Sequence, residues 1–293
     1  MKHRRSVGEH AFDWANTLVL ALLGLLAVYP FLYVLSISLS TAAEAQSHSL
    51  HLYPRRVSWN AYRIVFESPD ILRSLWNSIV RTALGTVITV LATCVAAYPL
   101  ARKELPHRSL ILFLILLTMI FSGGIVPGYL LVRSLGMINT IWALVIPGAL
   151  SAFNVIVVKN FFQQIPESLL EAARVEGAGE WRILFRFFIP LSKPVLATIA
   201  LWTAVSHWNQ WFDAMLYITD DRKQVLQNML QRIVIENSTR LIDMGKNTHD
   251  VASYTPETVK AATVVITVLP MLILYPFVQR YFAKGIMIGG VKE

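Results

Sequence analysis

The chain has 293 residues, of which 55% are hydrophobic and only 15% charged, against about 25% charged in an ordinary soluble domain. Lys and Arg number 26 and Asp and Glu 18, a net charge of +8, and the mean hydropathy is +0.53. Too few charges remain to cover a soluble surface, which disfavours soluble globular, disordered and fibrous classes, and the basic excess points to cationic loops at a lipid surface rather than to nucleic acid.

A bilayer-crossing helix needs about 20 mostly apolar residues. Six stretches qualify, near 16–39, 79–101, 110–132, 138–158, 195–217 and 259–279. Backbone in hydrocarbon must bond internally, so all six are predicted helices. They consume most of the chain, and the sequence predicts one all-α membrane domain over 1–293. Lys2, Arg4 and Arg5 precede the first stretch, and Ala43-Glu44-Ala45 looks like a signal-peptidase site. The apolar run is too long for a signal peptide, so it reads as an uncleaved first helix. With both termini inside, the inner segments are 1–12, 102–108, 159–193 and 280–293. They hold the higher density of Lys and Arg, which favours that orientation. The main outer loops are then about 40–73 and 217–258. The first carries Trp59, Tyr62 and Phe66; the second repeats Leu226, Met229, Leu230, Ile233 and Val234 at helical spacing. Either can pack on the bundle mouth or meet a partner. The lone cysteine, Cys94, lies in an apolar run and reads as a small core residue.

The chemistry the stretches lack is informative. No Asp or Glu sits mid-span; Asp13 precedes the first and Asp213 lies toward the end of the fifth. An ion-coupled carrier commonly uses a buried carboxylate. There is no His-Glu-x-x-His, no Gly-x-Ser-x-Gly and no phosphate-cradling glycine loop. His48 and His51 read as solvated loop residues, and Asn237-Ser238-Thr239 as an accidental glycosylation pattern. Breakers are frequent instead: Pro30, Pro127, Pro147 and Pro270 fall inside predicted helices, with Gly123, Gly124 and Gly128 around Pro127. Proline kinks a helix, and broken helices in membranes line protein or a water-filled cavity. The set reads as a cavity-forming bundle or as ordinary kinked packing, and Gly124-x-x-x-Gly128 suits a close helix contact.

The polar residues within spans are Arg81, Asn154, His207, Asn209 and Gln210. Arg81 is expected to snorkel to the outer interface. Asn154 suits an interhelical bond or a pathway. Ser206-His207-Trp208-Asn209-Gln210-Trp211 gathers two tryptophans, an imidazole and two amides. That cluster is an interface belt or a sugar site, where aromatic faces stack on C–H groups and amides bond hydroxyls. The candidate path residues are therefore Asn154, His207, Trp208, Asn209, Trp211 and Arg81; an anionic sugar would want Arg81 or His207.

The inner loop at about 161–193 carries the most specific pattern. Pro166 suits a first helical turn, and Glu167 and Glu171 suit a helix N-terminus. Ser168 to Glu176 is mostly strong helix former, and Gly177 can supply a C-terminal turn with positive φ. Trp181 to Pro190 begins a second helix. Helix, glycine turn and helix make a rigid knob that can transmit force to a docked partner, or an amphipathic segment lying on headgroups.

Glu171-Ala172-Ala173, three residues, Gly177, nine residues, then Phe187-Phe188-Ile189-Pro190 resembles the EAA signature of ABC importer permeases, E-A-A-x3-G-x9-I-x-L-P. Phe187 and Ile189 are apolar replacements within it. Phe121-Ser122-Gly123-Gly124, Asn139 to Leu144, Ser192 to Ala200 and Arg280 to Gly285 are similar to the carbohydrate branch. The polysaccharide and complex-sugar subgroup is nearest, with the smaller permease of alginate-type importers a specific candidate. The resemblance implies a type I importer bundle with a second, related permease. It also implies two ATPases that hold ATP and magnesium, an extracytoplasmic solute-binding protein and a sugar substrate. No cofactor is expected on this chain, and no nucleic acid. The matched positions imply that Glu167, Glu171, Ala172, Ala173, Gly177 and Ala178 meet an ATPase, and that the tail with Lys284 and Gly285 reaches the ATPases. The alternatives are a passive membrane channel or scaffold, and an intramembrane glycan-modifying enzyme.

Overall fold

The computed structural model describes residues 7–47, 51–235 and 255–289, and no strand occurs among them. The helices in chain order are α1 (Val7–Ser38), α2 (Ala42–Ala45), α3 (Asn60–Glu67), α4 (Pro69–Ala101), α5 (Arg108–Ile120), α6 (Ile125–Ser134), α7 (Trp142–Val145) and α8 (Ala152–Phe162). They continue with α9 (Glu167–Val175), α10 (Glu180–Ile183), α11 (Ile189–Leu191), α12 (Lys193–Asn209), α13 (Phe212–Tyr217), α14 (Leu226–Ile235) and α15 (Pro256–Gly289). The Asn237 glycosylation pattern and His48 lie outside the described residues.

Among the described residues, three helices are long and apolar enough to cross a membrane: α1, α4 and the start of α15. Two bent pairs raise the number to five if each is one span. The predicted helix 110–132 is α5 and α6, turned 113° at Ser122-Gly123-Gly124, where Gly124 adopts φ +84°. A side chain would be strained there. The predicted helix 138–158 is not continuous: Pro147 and Gly148 separate α7 from α8. The predicted helix 195–217 is α12 and α13, parted at Gln210 and Trp211. Gly and Pro interrupt the first two backbone ladders, which apolar composition alone would leave continuous; the third is interrupted with neither residue at the break.

The chain divides into two compact units, Met1–Pro69 with Arg232–Leu269 and Asp70–Gln231 with Pro270–Glu293. In the first, α1 leaves Leu18, Leu20, Leu25 and Leu26 largely exposed, a surface suited to lipid rather than water. The described parts of the 40–73 segment, 40–47 and 51–73, carry α2, α3 and the start of α4. Glu44 accepts from the Arg55 and Arg56 amides at 2.6 and 3.3 Å, and the Ser38 and Tyr62 hydroxyls meet at 2.8 Å. Thr255 and Thr258 exchange hydrogen bonds at the start of α15, a reciprocal cap for otherwise unpaired amides.

In the second unit, Cys94, Tyr98, Val155, Val158, Phe162, Leu170, Ala173, Phe188 and Ile199 form a buried cluster joining α4, α8, α9 and α12. Phe188 stands edge-on to both Tyr98 (4.9 Å) and Phe162 (5.1 Å), a favoured aromatic geometry. It ends a π-helical turn, Leu184–Phe188. Two residues on, Pro190 has no N–H to give the Arg186 carbonyl, so the α ladder cannot close there. A second cluster gathers Val132, Ala143, Leu144, Ala214, Tyr217 and Ile218. Asn139 braces it in left-handed backbone, φ +60°, accepting from the Thr219 and Asp220 amides at 2.7 and 3.1 Å. Replacing Phe188 by alanine removes both edge contacts and is expected to destabilise the chain by about 3 kcal/mol, read as a lower melting point of the detergent-purified protein.

Candidate functional site

Two sites lie in the second unit. The first is a cavity of about 490 Å³ at the interruption between α12 and α13. Its wall includes Thr89 of α4, Ser151 and Asn154 beside and on α8, Trp202, Thr203, Ser206 and His207 of α12, then Gln210, Asp213 and Tyr217. Hydroxyls, amides and two aromatic rings therefore share one concave surface, with few charges.

Arg81 organises the interruption. It is 1% exposed, and its Nη1 donates to the Gln210 carbonyl at 2.8 Å. Its Nη2 pairs with the Asp213 carboxylate. Asp213 occupies the first turn of α13, and its other oxygen accepts from the Ala214 amide at 2.8 Å. One guanidinium thus satisfies a carbonyl freed where α12 stops and neutralises a carboxylate where α13 starts. Charges at those helix ends have the favourable signs. The expected snorkelling of Arg81 is corrected: the helix break supplies partners inside the bundle, so the side chain has no reason to reach for water.

His207 lies against Gly85. A Cβ on Gly85 would collide with the imidazole, so α4 and α12 approach there only because residue 85 has no side chain. The His207 Nδ1 is buried without a partner, an uncommon state for a polar atom. Of the other candidate path residues, Asn154 lines the cavity. Trp208 is 4% exposed and lies outside the cavity wall. Asn209 donates to the Val205 carbonyl at 2.9 Å, and Trp211 sits edge-on to Phe212. Sequence reading missed Thr89, Ser151, Trp202, Thr203, Asp213 and Tyr217 as wall residues. The available signal was the pair of opposite charges, Arg81 and Asp213, each isolated in an apolar stretch.

The second site is the loop after α8. α9 packs Leu170 and Ala173 into the buried cluster and exposes Glu167, Glu171 and Ala172. Val175 at its end is 90% exposed. The helix stops as the sequence predicts: Gly177 adopts φ +77°, its amide donates to the Arg174 carbonyl, and the Ala178 amide reaches back to Ala173, both at 2.9 Å. This bond pair is a Schellman turn, and Ala178 then packs on the same cluster. Lys284 and Gly285 lie on the α15 backbone; their side chains are outside the described residues.

The loop is clamped at its base. Glu180, first residue of α10, accepts from the Tyr98 hydroxyl at 2.5 Å, from Arg102 Nη2 at 2.7 Å and from Arg174 Nη2 at 3.2 Å. The Arg102 guanidinium also lies 4.8 Å from the centre of the Tyr98 ring, a cation–π distance. The Tyr98 hydrogen bond, helped by the two arginines and opposed by partial burial, holds the Glu180 carboxyl below the usual carboxylate range. Among the described residues no group of His, Cys, Asp and Glu could hold a metal.

A broken-helix bundle with a mid-chain cavity and a glycine-ended loop knob defines a membrane transport subunit that works with partners. The family described as binding-protein-dependent transport system inner membrane component matches residues 75–288, and the chain belongs to it. It is 42% identical over 290 residues to Protein LplC of Bacillus subtilis, covering 99% of this chain and 97% of that one. It is 40% identical to the Bacillus subtilis polygalacturonan/rhamnogalacturonan transport system permease YtcP, covering 96% and 98%. A crystal structure of a bacterial ABC transporter that imports the acidic polysaccharide alginate contains a chain that superposes with a TM-score of 0.89. The two are 33% identical, with 95% and 99% covered. The chain is thus an importer permease and not itself an enzyme, and the channel, scaffold and intramembrane-enzyme alternatives fall away.

Breaking the buried pair by Asp213→Asn leaves the Arg81 charge without its partner. It is expected to cost about 3 kcal/mol or more, read by thermal unfolding in detergent. Gly85→Ala forces the His207 ring aside and is expected to cost about 1–3 kcal/mol in the same measurement.

Proposed function

We propose that this chain forms half of the path by which an oligo- or polysaccharide enters the bacterial cytoplasm. The observation that carries the reading is the cavity wall. Trp202 and Tyr217 contribute aromatic rings, while Asn154, Gln210, Ser151, Ser206, Thr89 and Thr203 contribute amides and hydroxyls. Stacking on C–H faces and bonding hydroxyls is what a sugar requires. The names of the similar proteins, which include a polygalacturonan/rhamnogalacturonan permease and an alginate importer, support a polymeric and acidic sugar.

In this reading the chain sits in the inner membrane with six spans and both termini cytoplasmic. It pairs with a second, related permease. An extracytoplasmic binding protein delivers the sugar, and two ATPases carrying ATP and magnesium drive the cycle. The exposed face of α9, with Glu167, Glu171, Ala172 and Val175, docks on one ATPase, and the Schellman turn at Gly177 fixes its angle. The Lys284–Gly285 tail lies toward the same subunits. His207 and Arg81 act at the cavity, Arg81 through Asp213. Trp208, Asn209 and Trp211 border the path beyond the cavity.

The test is purification of the tagged chain from native membranes in mild detergent, with mass spectrometry of what accompanies it. Co-purified ATPases and a second permease are expected; a chain that emerges alone, while a known importer in parallel keeps its ATPases, overturns the assembly. The binding protein is then titrated with tetragalacturonate, alginate tetrasaccharide and neutral maltotetraose. Tighter binding of the uronides is expected, and a preference for maltotetraose overturns the acidic assignment. Gly177→Asp is expected to leave membrane abundance intact and reduce uptake of the bound sugar at least about tenfold, the scale of a coupling interaction. Unchanged uptake at equal abundance overturns the role of the turn.

A further inference from the structure

The coupling helix has two routes to the cavity. One is the chain itself: α9, the glycine turn, α10, the π-helical turn, α11, an 84° bend, then α12. A π turn and a sharp bend are compliant, so this route absorbs displacement. It also moves only one wall. Another part of the wall belongs to α4, which contributes Thr89 to the cavity and packs Gly85 against His207. No chain connection joins α9 to α4 directly. Their apolar contacts, through Leu170 and Ala173, are non-directional and allow sliding.

The directional link is Glu180. Its carboxylate takes donors from three places at once: Tyr98 near the end of α4, Arg102 just beyond α4, and Arg174 on α9. Arg174 also lies 4.0 Å from Glu104, in the turn after α4. Arg102 is only 12% exposed and is stacked on Tyr98, so the α4 side of the clamp is rigid. From Tyr98 to Thr89, α4 runs as helix for about 14 Å, with one ladder bond missing because Pro99 has no N–H to give the Val95 carbonyl. A push at this end reaches the cavity wall through the bonds that remain.

We infer that Glu180 is a positioning residue of the transport cycle, a strut that makes α4 move with the coupling helix so that both walls of the cavity shift together. This rests on the reading that α9 docks on an ATPase. Without the strut, nucleotide-driven movement of α9 passes to α12 alone, and the cavity deforms without changing its access. The ATPases remain bound and continue to hydrolyse ATP, because the exposed face of α9 and the Gly177 turn are untouched.

The test uses the whole importer complex in liposomes, with Cys94→Ala removing the native thiol and Ser151→Cys reporting on the cavity. A water-soluble maleimide reads the accessibility of residue 151 with and without MgATP plus vanadate, so no sugar need be identified. With Glu180 present, trapping is expected to change the labelling rate about tenfold, and Glu180→Gln is expected to cut that response about fivefold. Bound ATPase and ATP hydrolysis stay at least at the starting level. Glu180→Asp, which keeps the charge, is expected to recover part of the response. A full response in Glu180→Gln, loss of the ATPases from that complex, or Glu180→Asp behaving no better than Gln would each overturn the strut. Should Glu180→Gln not reach the membrane, Arg174→Gln, a partly exposed side chain, carries the same test with the same readings. Failure of the docking reading looks different: Gly177→Asp then leaves both ATPase retention and the labelling response intact.

Discussion

A guanidinium inside a membrane bundle needs a counter-charge and acceptors within the bundle. Arg81 meets that demand at a single place, where α12 ends and α13 begins. The break in the helix and the buried charge depend on each other. Without the break there is no free Gln210 carbonyl and no Asp213 in a first turn. Without Arg81 the interrupted backbone and the carboxylate lose their partner. The cavity lies beside this junction because an interrupted helix leaves room that a continuous one would fill.

The loop on the other side is built by different physics. Local backbone preference stops α9, since only a glycine sits comfortably at φ +77°. Apolar burial of Leu170 and Ala173 seats the helix, and a charge cluster at Glu180 fixes its direction. The apolar contact supplies adhesion and the ionic one supplies orientation. Together they hold a short helix in both place and direction.

The parts legible in the sequence are those set by near neighbours. The end of α9 could be read because Gly177 and the helix formers before it are adjacent, and its packed and exposed residues followed. The apolar stripe from Leu226 likewise became α14. The interruptions at Ser122-Gly123-Gly124 and Pro147-Gly148 were visible as breakers, yet apolar composition still suggested unbroken spans, because hydropathy counts side chains and ignores the backbone ladder. Least legible were contacts between distant residues. Arg81 and Asp213 are 132 positions apart, and Tyr98 and Glu180 are 82 apart; an isolated charge shows locally that a partner is needed, not where it lies. The tryptophan-rich run at Ser206 to Trp211 drew attention to the right helix but not to the right face. His207 and Gln210 reach the cavity, while Trp202, two turns earlier, supplies the aromatic surface there.

The meeting of His207 with Gly85 has a mechanical consequence. Helices usually engage like gears, a knob of one seated between teeth of the other, and such a seat resists axial travel. At this crossing one gear has a missing tooth. The imidazole fills that gap against bare backbone, between the side chains one turn to either side, and holds α12 close to α4. Such a notch acts as a detent: the ring must lift over a neighbouring side chain before α12 can slide past α4.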